Sequence, residues 1–154
     1  MKSNSDQPDY VYVTYIHTTP QKLWRALIDP ALITQYWLGR TQTTTWKRGD
    51  SIETRDADGE LEWHGKIVVN RPPRRLAYTF QMDGRDQPVT HVTFDIEKIE
   101  QGDELHGMGV KLTVTHRGYA QGSRQLRGIS WGWPVILSGL KSLLETGRVL
   151  AKSR

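Results

Sequence analysis

Between residues 41 and 116 the sequence is a succession of strand candidates separated by turn residues. Most candidates are rich in β-branched or aromatic residues and end near Gly, Pro, Asn or Asp, which is typical of strands joined by turns. Because strand follows strand with no helix between them, we expect a mainly antiparallel sheet. The candidates are 41–46, a short piece around Ile52, 60–69, 75–81, 90–100 and 108–116, and a first strand is predicted at 10–17.

The last strands alternate apolar and polar side chains, which predicts one covered and one solvated face. The covered face is predicted to contain Leu76, Tyr78, Phe80, Val92, Phe94, Ile96, Val110, Leu112, Val114 and His116. Two short helices are expected directly after the first strand. Thr19 and Asp29 are their predicted N-caps, and each is followed by a proline suited to a first helical position.

A single amphipathic segment, residues 132–147, is left to cover the sheet. Its apolar residues repeat at helical spacing. We expect Ser130 to be the N-cap, which would place Pro134 in the first turn, where a missing N–H costs little. Gly139 and Gly147 weaken a helix by about 1 kcal/mol each. Either the curved sheet approaches too closely for a Cβ, or Gly139 is tolerated at the surface and Gly147 ends the helix.

Length, composition and charge limit the domain number, the chemistry and the partners that we expect. A chain of 154 residues predicts one domain, here residues 10–154 after a polar tail at 1–9. The absence of cysteine excludes disulfides and thiolate chemistry. The net charge of +4 is spread along the chain, so we expect no nucleic-acid partner. No apolar run reaches the ~20 residues of a membrane span, and no signal peptide is predicted, so the expected location is the cytoplasm.

Motifs for catalysis are weak. Residues 128–132 match G-x-S-x-G, but no His or Asp follows Ser130, so we reject a nucleophile elbow. The histidines do not form a metal-ligand pattern, and no cofactor is expected. His116 shares the inward parity of the covered face. It is interpreted either as a hydrogen-bonded histidine at a strand end, or as a polar contact or general acid/base in a pocket.

An ordered set of residues is similar to a known family across nearly the whole chain. The set is Thr18-Thr19-Pro20, Leu23-Trp24, Ala26-Leu27, Tyr36-Trp37, Trp46, Gly49, Gly65, Pro72 to Leu76, Val92 to Phe94, Leu112 to His116, Gly132 to Pro134, Leu140-Lys141 and Leu144 to Gly147. It resembles the AHSA1-like (activator of Hsp90 ATPase homologue 1-like) branch of the START/Bet v 1 (SRPBCC) superfamily. Arg71 departs from the acidic residue common at that position. The resemblance implies an α+β helix-grip fold, in which a bent antiparallel sheet wraps around a long C-terminal helix.

This fold leads to the favoured hypothesis, a non-catalytic protein that binds a lipid-, polyketide- or polyphenol-like molecule between the helix and the sheet, as a carrier or sensor. Its predicted ligand-binding residues are Trp37, Trp46, Tyr78, Phe80, Phe94, Leu112, His116, Trp133, Leu137 and Leu140. An empty apolar cavity of ~300 Å³ would cost about 7 kcal/mol, so such a space should hold a ligand or water unless aromatic side chains fill it.

Two alternatives stay open. One is a cyclase or aromatase in which His116 or a tyrosine moves protons in the same cavity. The other is a protein-interaction module, such as a co-chaperone or a partner of an ArsR-type regulator encoded nearby. Hsp90 activators carry an additional N-terminal domain and only a polar tail precedes Tyr10, so we do not expect Hsp90 as a partner. The sequence leaves a homodimer open.

Overall fold

The computed structural model describes residues 9–84, 86–99, 109–119 and 124–150. Four parts of the chain lie outside the described residues: residues 1–8 of the predicted tail at 1–9, the end of the sixth strand candidate at residue 100, the start of the seventh at residue 108, and residues 151–154. The elements are β1 (Tyr10–Ile16), α1 (Pro20–Ile28), α2 (Pro30–Tyr36), β2 (Thr41–Thr44), β3 (Ser51–Arg55), β4 (Leu61–Arg71), β5 (Arg75–Met82), β6 (Thr90–Lys98), β7 (Val110–Arg117) and α3 (Arg124–Thr146).

The strands form one seven-stranded sheet in the order β1-β7-β6-β5-β4-β3-β2, and each neighbouring pair is antiparallel. The register shifts between Thr54 and Arg55 in β3, and between Ile67 and Val69 in β4. Such irregularities bend a strand and increase its twist. The predicted α+β helix-grip architecture is confirmed, with α3 packed beside β1, α1 and α2.

Gly65 in β4 is required by a close approach of the next strand. A Cβ built on Gly65 would overlap the carbonyl group of Thr79 in β5. The Thr79 hydroxyl accepts a hydrogen bond from the Lys66 N–H at 2.8 Å, so it occupies the place of a regular ladder partner. The tight β4–β5 contact therefore depends on the missing side chain at residue 65.

The predicted caps of the short helices are confirmed. The Thr19 hydroxyl accepts from the Lys22 N–H at 3.2 Å, and the Asp29 carboxylate accepts from the Ala31 N–H at 3.0 Å. Pro20 and Pro30 occupy the first helical positions. Together the two caps turn the chain back across the sheet immediately after β1.

The prediction for the start of the long helix is wrong. Helix α3 begins at Arg124, so Ser130 lies inside it and donates its hydroxyl hydrogen to the Leu126 carbonyl at 2.8 Å. Pro134 is likewise an interior residue and cannot donate the hydrogen bond that a helix normally makes to the carbonyl four residues earlier. The first two turns were concealed because Ser130 and Pro134 resemble a helix N-terminus, although Leu126 and Ile129 continue the apolar repeat at helical spacing.

The two helix glycines have different roles. Gly147 has φ +80° and its N–H bonds to the Leu143 carbonyl, so it ends the helix as the second alternative proposed. Gly139 is buried, and a Cβ there would meet the Tyr36 carbonyl oxygen at 3.4 Å. Its nearest neighbour is therefore α2, and the expectation of a close approach by the sheet is wrong.

The C-terminal half of α3 is fixed to the end of β1 by a charged residue pair. The Lys141 ammonium group donates to the Tyr15 carbonyl at 2.5 Å and to the Glu145 carboxylate at 2.8 Å. The same carboxylate accepts from the His17 N–H at 2.8 Å. Helix α3 is thus held firmly at its C-terminal end, where Leu137 and Leu140 are fully buried.

Candidate functional site

A cavity of about 430 Å³ lies between the N-terminal half of α3 and strands β4, β5 and β7. It opens to solvent beside Trp131 and Leu38, whose side chains are 66% and 39% exposed. It is lined by Trp37, Leu38, Arg40, Glu62, Trp63, Phe80, Met82, Asp83, Gln87, His116, Arg124, Gln125, Gly128, Ile129, Trp131, Gly132, Trp133 and Ile136.

The inner wall of the cavity is built from aromatic rings. Trp63 stacks on Phe80 with ring centroids 4.3 Å apart and an angle of 28° between the planes. Trp37 meets Trp133 edge to face at 5.4 Å and 73°. Behind this wall Tyr78 stacks on Trp63 at 5.4 Å. Offset-stacked and edge-to-face pairs are the favoured arrangements of aromatic rings, so the wall is a rigid apolar surface.

His116 is part of a buried hydrogen-bond chain. The Trp133 indole N–H donates to His116 Nδ1 at 3.0 Å, and His116 Nε2 lies 2.7 Å from the Thr90 hydroxyl. Because an indole nitrogen can only donate, Nδ1 must be the acceptor and the imidazole proton is on Nε2. The Thr90 hydroxyl accepts a hydrogen bond from His116 Nε2–H and donates one to the Phe80 carbonyl oxygen at 2.6 Å.

Burial, with a smaller contribution from the charge of the neighbouring His91, lowers the pKa of His116 to about 3. The imidazole is therefore neutral at physiological pH, and both of its nitrogens are engaged within the protein. This arrangement fixes the orientation of the Trp133 indole. It leaves neither a free lone pair nor a free proton on the ring for acid–base chemistry.

The helix wall of the cavity carries two glycines one turn apart, Gly128 and Gly132. A Cβ built on either residue would meet no other atom within 4 Å. A side chain at either position would therefore extend into open space. A glycine in a helix interior costs about 1 kcal/mol relative to alanine, so the open space is maintained at the expense of helix stability.

Charged side chains are grouped at the mouth of the cavity. The Arg40 guanidinium is ion-paired with the Glu62 carboxylate at 3.1 Å and donates to the Leu38 carbonyl at 3.2 Å. Asp83 and Arg124 are exposed and also border the mouth. With two cations and two anions, the mouth has no net charge.

The side chain of Gln125, in the first turn of α3, has an unusual environment. Both polar atoms of its carboxamide are buried and have no hydrogen-bond partner among the described residues. A buried polar group without a partner destabilises a fold by about 1–3 kcal/mol. Gln125 adds a second unfavourable feature to the cavity wall.

The structure places four of the ten predicted ligand-binding residues in the cavity wall: Trp37, Phe80, His116 and Trp133. The other six do not line it. Tyr78, Phe94, Leu112, Leu137 and Leu140 are buried in the solid core, and Trp46 is half-buried at its edge. The cavity lies nearer the start of α3 than the sequence suggested, because the helix begins at Arg124.

Sequence reasoning missed the α3 residues before position 132 and, on the sheet, Trp63. Trp63 has the same parity in β4 as Gly65 and the buried Ile67, so strand alternation was sufficient to place it on the inner face. Leu126 and Ile129 continue the helical spacing that leads to Trp133, but the N-cap was predicted at Ser130, so these residues were placed before the helix.

Within the described ranges, no group of three or more His, Cys, Asp or Glu side chains is arranged to hold a metal ion. The same part of the chain contains no helix that is long and apolar enough to cross a membrane.

The fold and this site define a class: an α+β helix-grip protein with a solvent-open aromatic cavity beside its C-terminal helix. The model of the family described as activator of Hsp90 ATPase homolog 1-like protein matches residues 17–145. The chain therefore belongs to the AHSA1 family. The comparison with curated proteins gave no match.

Several solved structures share the fold. Protein MLL2253 from Mesorhizobium loti is 23% identical with a TM-score of 0.75, covering 89% of this chain and 96% of that one. The Aha1 dimer from Colwellia psychrerythraea is 18% identical with a TM-score of 0.72, covering 92% and 98%. DynU16, from the dynemicin biosynthetic locus, is 18% identical with a TM-score of 0.75, covering 93% of this chain and 49% of that one. At these identities the similarity establishes the fold alone.

Proposed function

We propose that the protein binds a hydrophobic small molecule in the cavity beside α3 and acts as a cytoplasmic carrier or sensor. The observation that carries this proposal is a solvent-open space of about 430 Å³ whose inner wall is made of buried tryptophan rings. Small-molecule sites are typically concave, largely preformed and lined by apolar and aromatic side chains.

The size of the cavity supports an occupant. If the space were dry, it would lower the free energy of unfolding by about 10 kcal/mol, at ~24 cal/mol per Å³. This loss is comparable with the whole stability of a domain. Because the cavity opens to solvent, water enters it when no ligand is present. An apolar ligand that buries ~200 Å² against these walls would gain about 5 kcal/mol before the costs of binding.

The hydrogen bonds of His116 favour binding over cyclase or aromatase catalysis. Those reactions need a group that moves a proton, and both nitrogens of His116 are already engaged. The relative found in the dynemicin biosynthetic locus keeps the catalytic alternative in view, since DynU16 shares the fold. A turnover assay would have to identify another proton carrier.

The proposal is tested by filling the cavity from the helix side. Gly132→Leu adds a side chain where the space is open, and the fluorescent probe 1-anilinonaphthalene-8-sulfonate reports binding. Ser130→Leu is the matched control, because it adds the same side chain to the same helix at an exposed position outside the cavity. We expect wild type and Ser130→Leu to bind alike, and Gly132→Leu to bind about tenfold more weakly.

Mass spectrometry of an organic-solvent extract of the purified protein provides an independent measurement. A co-purifying apolar molecule that is lost in Gly132→Leu would support the proposal. Equal probe binding by the three proteins, or no binding by wild type, would contradict a ligand site in this cavity.

A further inference from the structure

We infer that the outer edge of β1 pairs with β1 of a second copy of this chain, so that two seven-stranded sheets join into one. This inference concerns a surface that is separate from the cavity and does not depend on the proposed ligand. It rests on the composition of β1, on the direction of its backbone groups and on its contacts with α3.

Strand β1 carries none of the features that usually protect the edge of a sheet. Natural edge strands are kept short, or contain charged residues, proline or a bulge. β1 has seven residues, none of them charged and none proline, and its register with β7 is continuous. The strand at the opposite edge, β2, follows the usual rule, because it is only four residues long. The edge of β1 is therefore suited to pairing with another strand.

The odd-numbered residues of β1 direct their backbone groups away from β7. Along an antiparallel strand, alternate residues direct their N–H and C=O to opposite sides, so every second residue bonds the same neighbour. The carbonyl of Tyr15 accepts from the Lys141 ammonium group. The His17 N–H donates to the Glu145 carboxylate at 2.8 Å. Both partners belong to α3 and not to β7, so the outward direction also applies to the preceding odd-numbered residues.

Helix α3 covers only one end of this edge. The outward residues that remain in β1 are Val11 and Val13, and among the described residues no backbone group from outside the sheet bonds to them. Their side chains are 54% and 44% exposed. Two successive outward residues thus offer two donors and two acceptors to another strand.

A second copy of β1 supplies the matching groups. Two copies can run antiparallel about a two-fold axis beside Tyr12, which places Val11 of each copy opposite Val13 of the other. Each of these two pairs can exchange two hydrogen bonds, so the junction gains four. No like charges face each other, because the strand has no charge. The contact is self-complementary, as a two-fold symmetric dimer requires.

The side chains favour the same register. On the outer face each exposed valine gains a β-branched cross-strand neighbour, and on the inner face the two half-buried Tyr12 rings meet at the axis. Asp9, which directly precedes β1, lies opposite Tyr15 of the other copy in this register. Because the Tyr15 carbonyl holds the Lys141 ammonium group, opposite charges approach each other at both ends of the junction.

Sedimentation velocity of the purified chain from about 1 to 500 µM tests for the dimer. We expect a dissociation constant between about 1 and 100 µM, because the junction is small. Val13→Pro removes one outward N–H and no bond to β7, and proline is tolerated at such edge positions. This variant should dimerise at least about tenfold more weakly, with thermal unfolding as the check on its fold.

Two double variants with substitutions at the same two positions test the register at low salt. In V11K/V13K each new lysine lies opposite a lysine of the other copy, so dimerisation should weaken at least about tenfold. V11K/V13E is the matched control, because each lysine then lies opposite a glutamate. Its dissociation constant should stay within about threefold of the wild-type value.

Amide hydrogen exchange followed by NMR gives an independent measurement. The N–H groups of Val11 and Val13 should become protected as the protein concentration rises, whereas the Tyr12 N–H, which bonds β7, should be protected at every concentration.

Three results would overturn the inference. A wild-type chain that stays monomeric up to about 500 µM would leave the edge of β1 to a strand of another protein. A dimer that V11K/V13K does not weaken would show that the copies meet on a different surface. Equal weakening of the two double variants would contradict the antiparallel register about Tyr12. Each of these results leaves the cavity and its proposed ligand unaffected.

Discussion

The buried imidazole of His116 predicts a loss of stability in mild acid. In the folded protein burial lowers the pKa of His116 to about 3 from its ordinary value of 6.5. Between these two pH values the unfolded chain takes up a proton that the folded protein does not. The stabilisation is thus fully present above pH 6.5 and is progressively lost as the pH falls toward 3.

The size of the effect follows from the two pKa values. For one group that binds a proton only in the unfolded state, lowering the pH from 7.5 to 5.0 reduces the free energy of unfolding by about 2 kcal/mol. This interval also lies above the ordinary pKa range of carboxyl groups. Glu145, whose pKa is lowered chiefly by its hydrogen bond from Lys141, adds its own loss at more acidic pH.

Urea unfolding at pH 7.5, 6.5, 5.5 and 5.0 and constant ionic strength measures the prediction. In His116→Gln the glutamine side chain does not titrate. The part of the slope of unfolding free energy against pH that is due to His116 should therefore disappear, although the variant is less stable at every pH. His64→Gln removes a different histidine, on strand β4, and should keep the slope due to His116.

Two results would refute this reasoning. One is a free energy of unfolding that is the same at pH 5.0 and 7.5 in wild type. The other is an identical pH slope in wild type and His116→Gln. If His116→Gln does not fold, NMR of the wild-type imidazole decides, since its ring resonances should not titrate between pH 7.5 and 5.0.

Three further predictions concern stability. Gly65→Ala should destabilise the protein by about 3 kcal/mol or more in urea unfolding, because the new methyl group overlaps the Thr79 carbonyl; unchanged stability would show that the strands can separate freely. Gly132→Ala should stabilise it by about 1 kcal/mol, seen as a higher Tm, because a Cβ there meets no neighbour; a lower Tm would contradict the open helix wall. Trp133→Phe should lower the free energy of unfolding by about 1–3 kcal/mol through the hydrogen bond alone, since His116 Nδ1 loses its donor. An unchanged Tm would argue against the buried hydrogen-bond chain through His116.

Much of the fold was predictable because its determinants are local. Alternation along β6 and β7 identified the covered face, and Thr19 and Asp29 identified the short helices through cap chemistry. These patterns depend on neighbours within a few residues. The start of α3 was missed because Ser130 and Pro134 resemble a helix N-terminus, although Leu126 and Ile129 extend the apolar stripe toward Arg124.

The candidate site was only partly predictable for a related physical reason. Inward parity identifies residues that face the interior, but it does not distinguish a solid core from a cavity wall. Phe80 and Leu112 both face inward, yet Phe80 reaches the cavity and Leu112 is completely packed. The difference depends on the position of α3 over the sheet, which is a tertiary property.

Several residues that weaken this fold by local rules lie on the half of α3 that borders the cavity. Gly128, Gly132 and Pro134 together cost a helix about 5 kcal/mol relative to alanine, which is as much as the whole stability of a marginal domain. The unpaired Gln125 and the buried His116 also line the cavity. Local rules are expected to be broken at functional sites, where the gain is open space or chemistry rather than stability. A chain under pressure for stability alone would extend side chains into this space, and the ligand proposed above would offset the loss when bound.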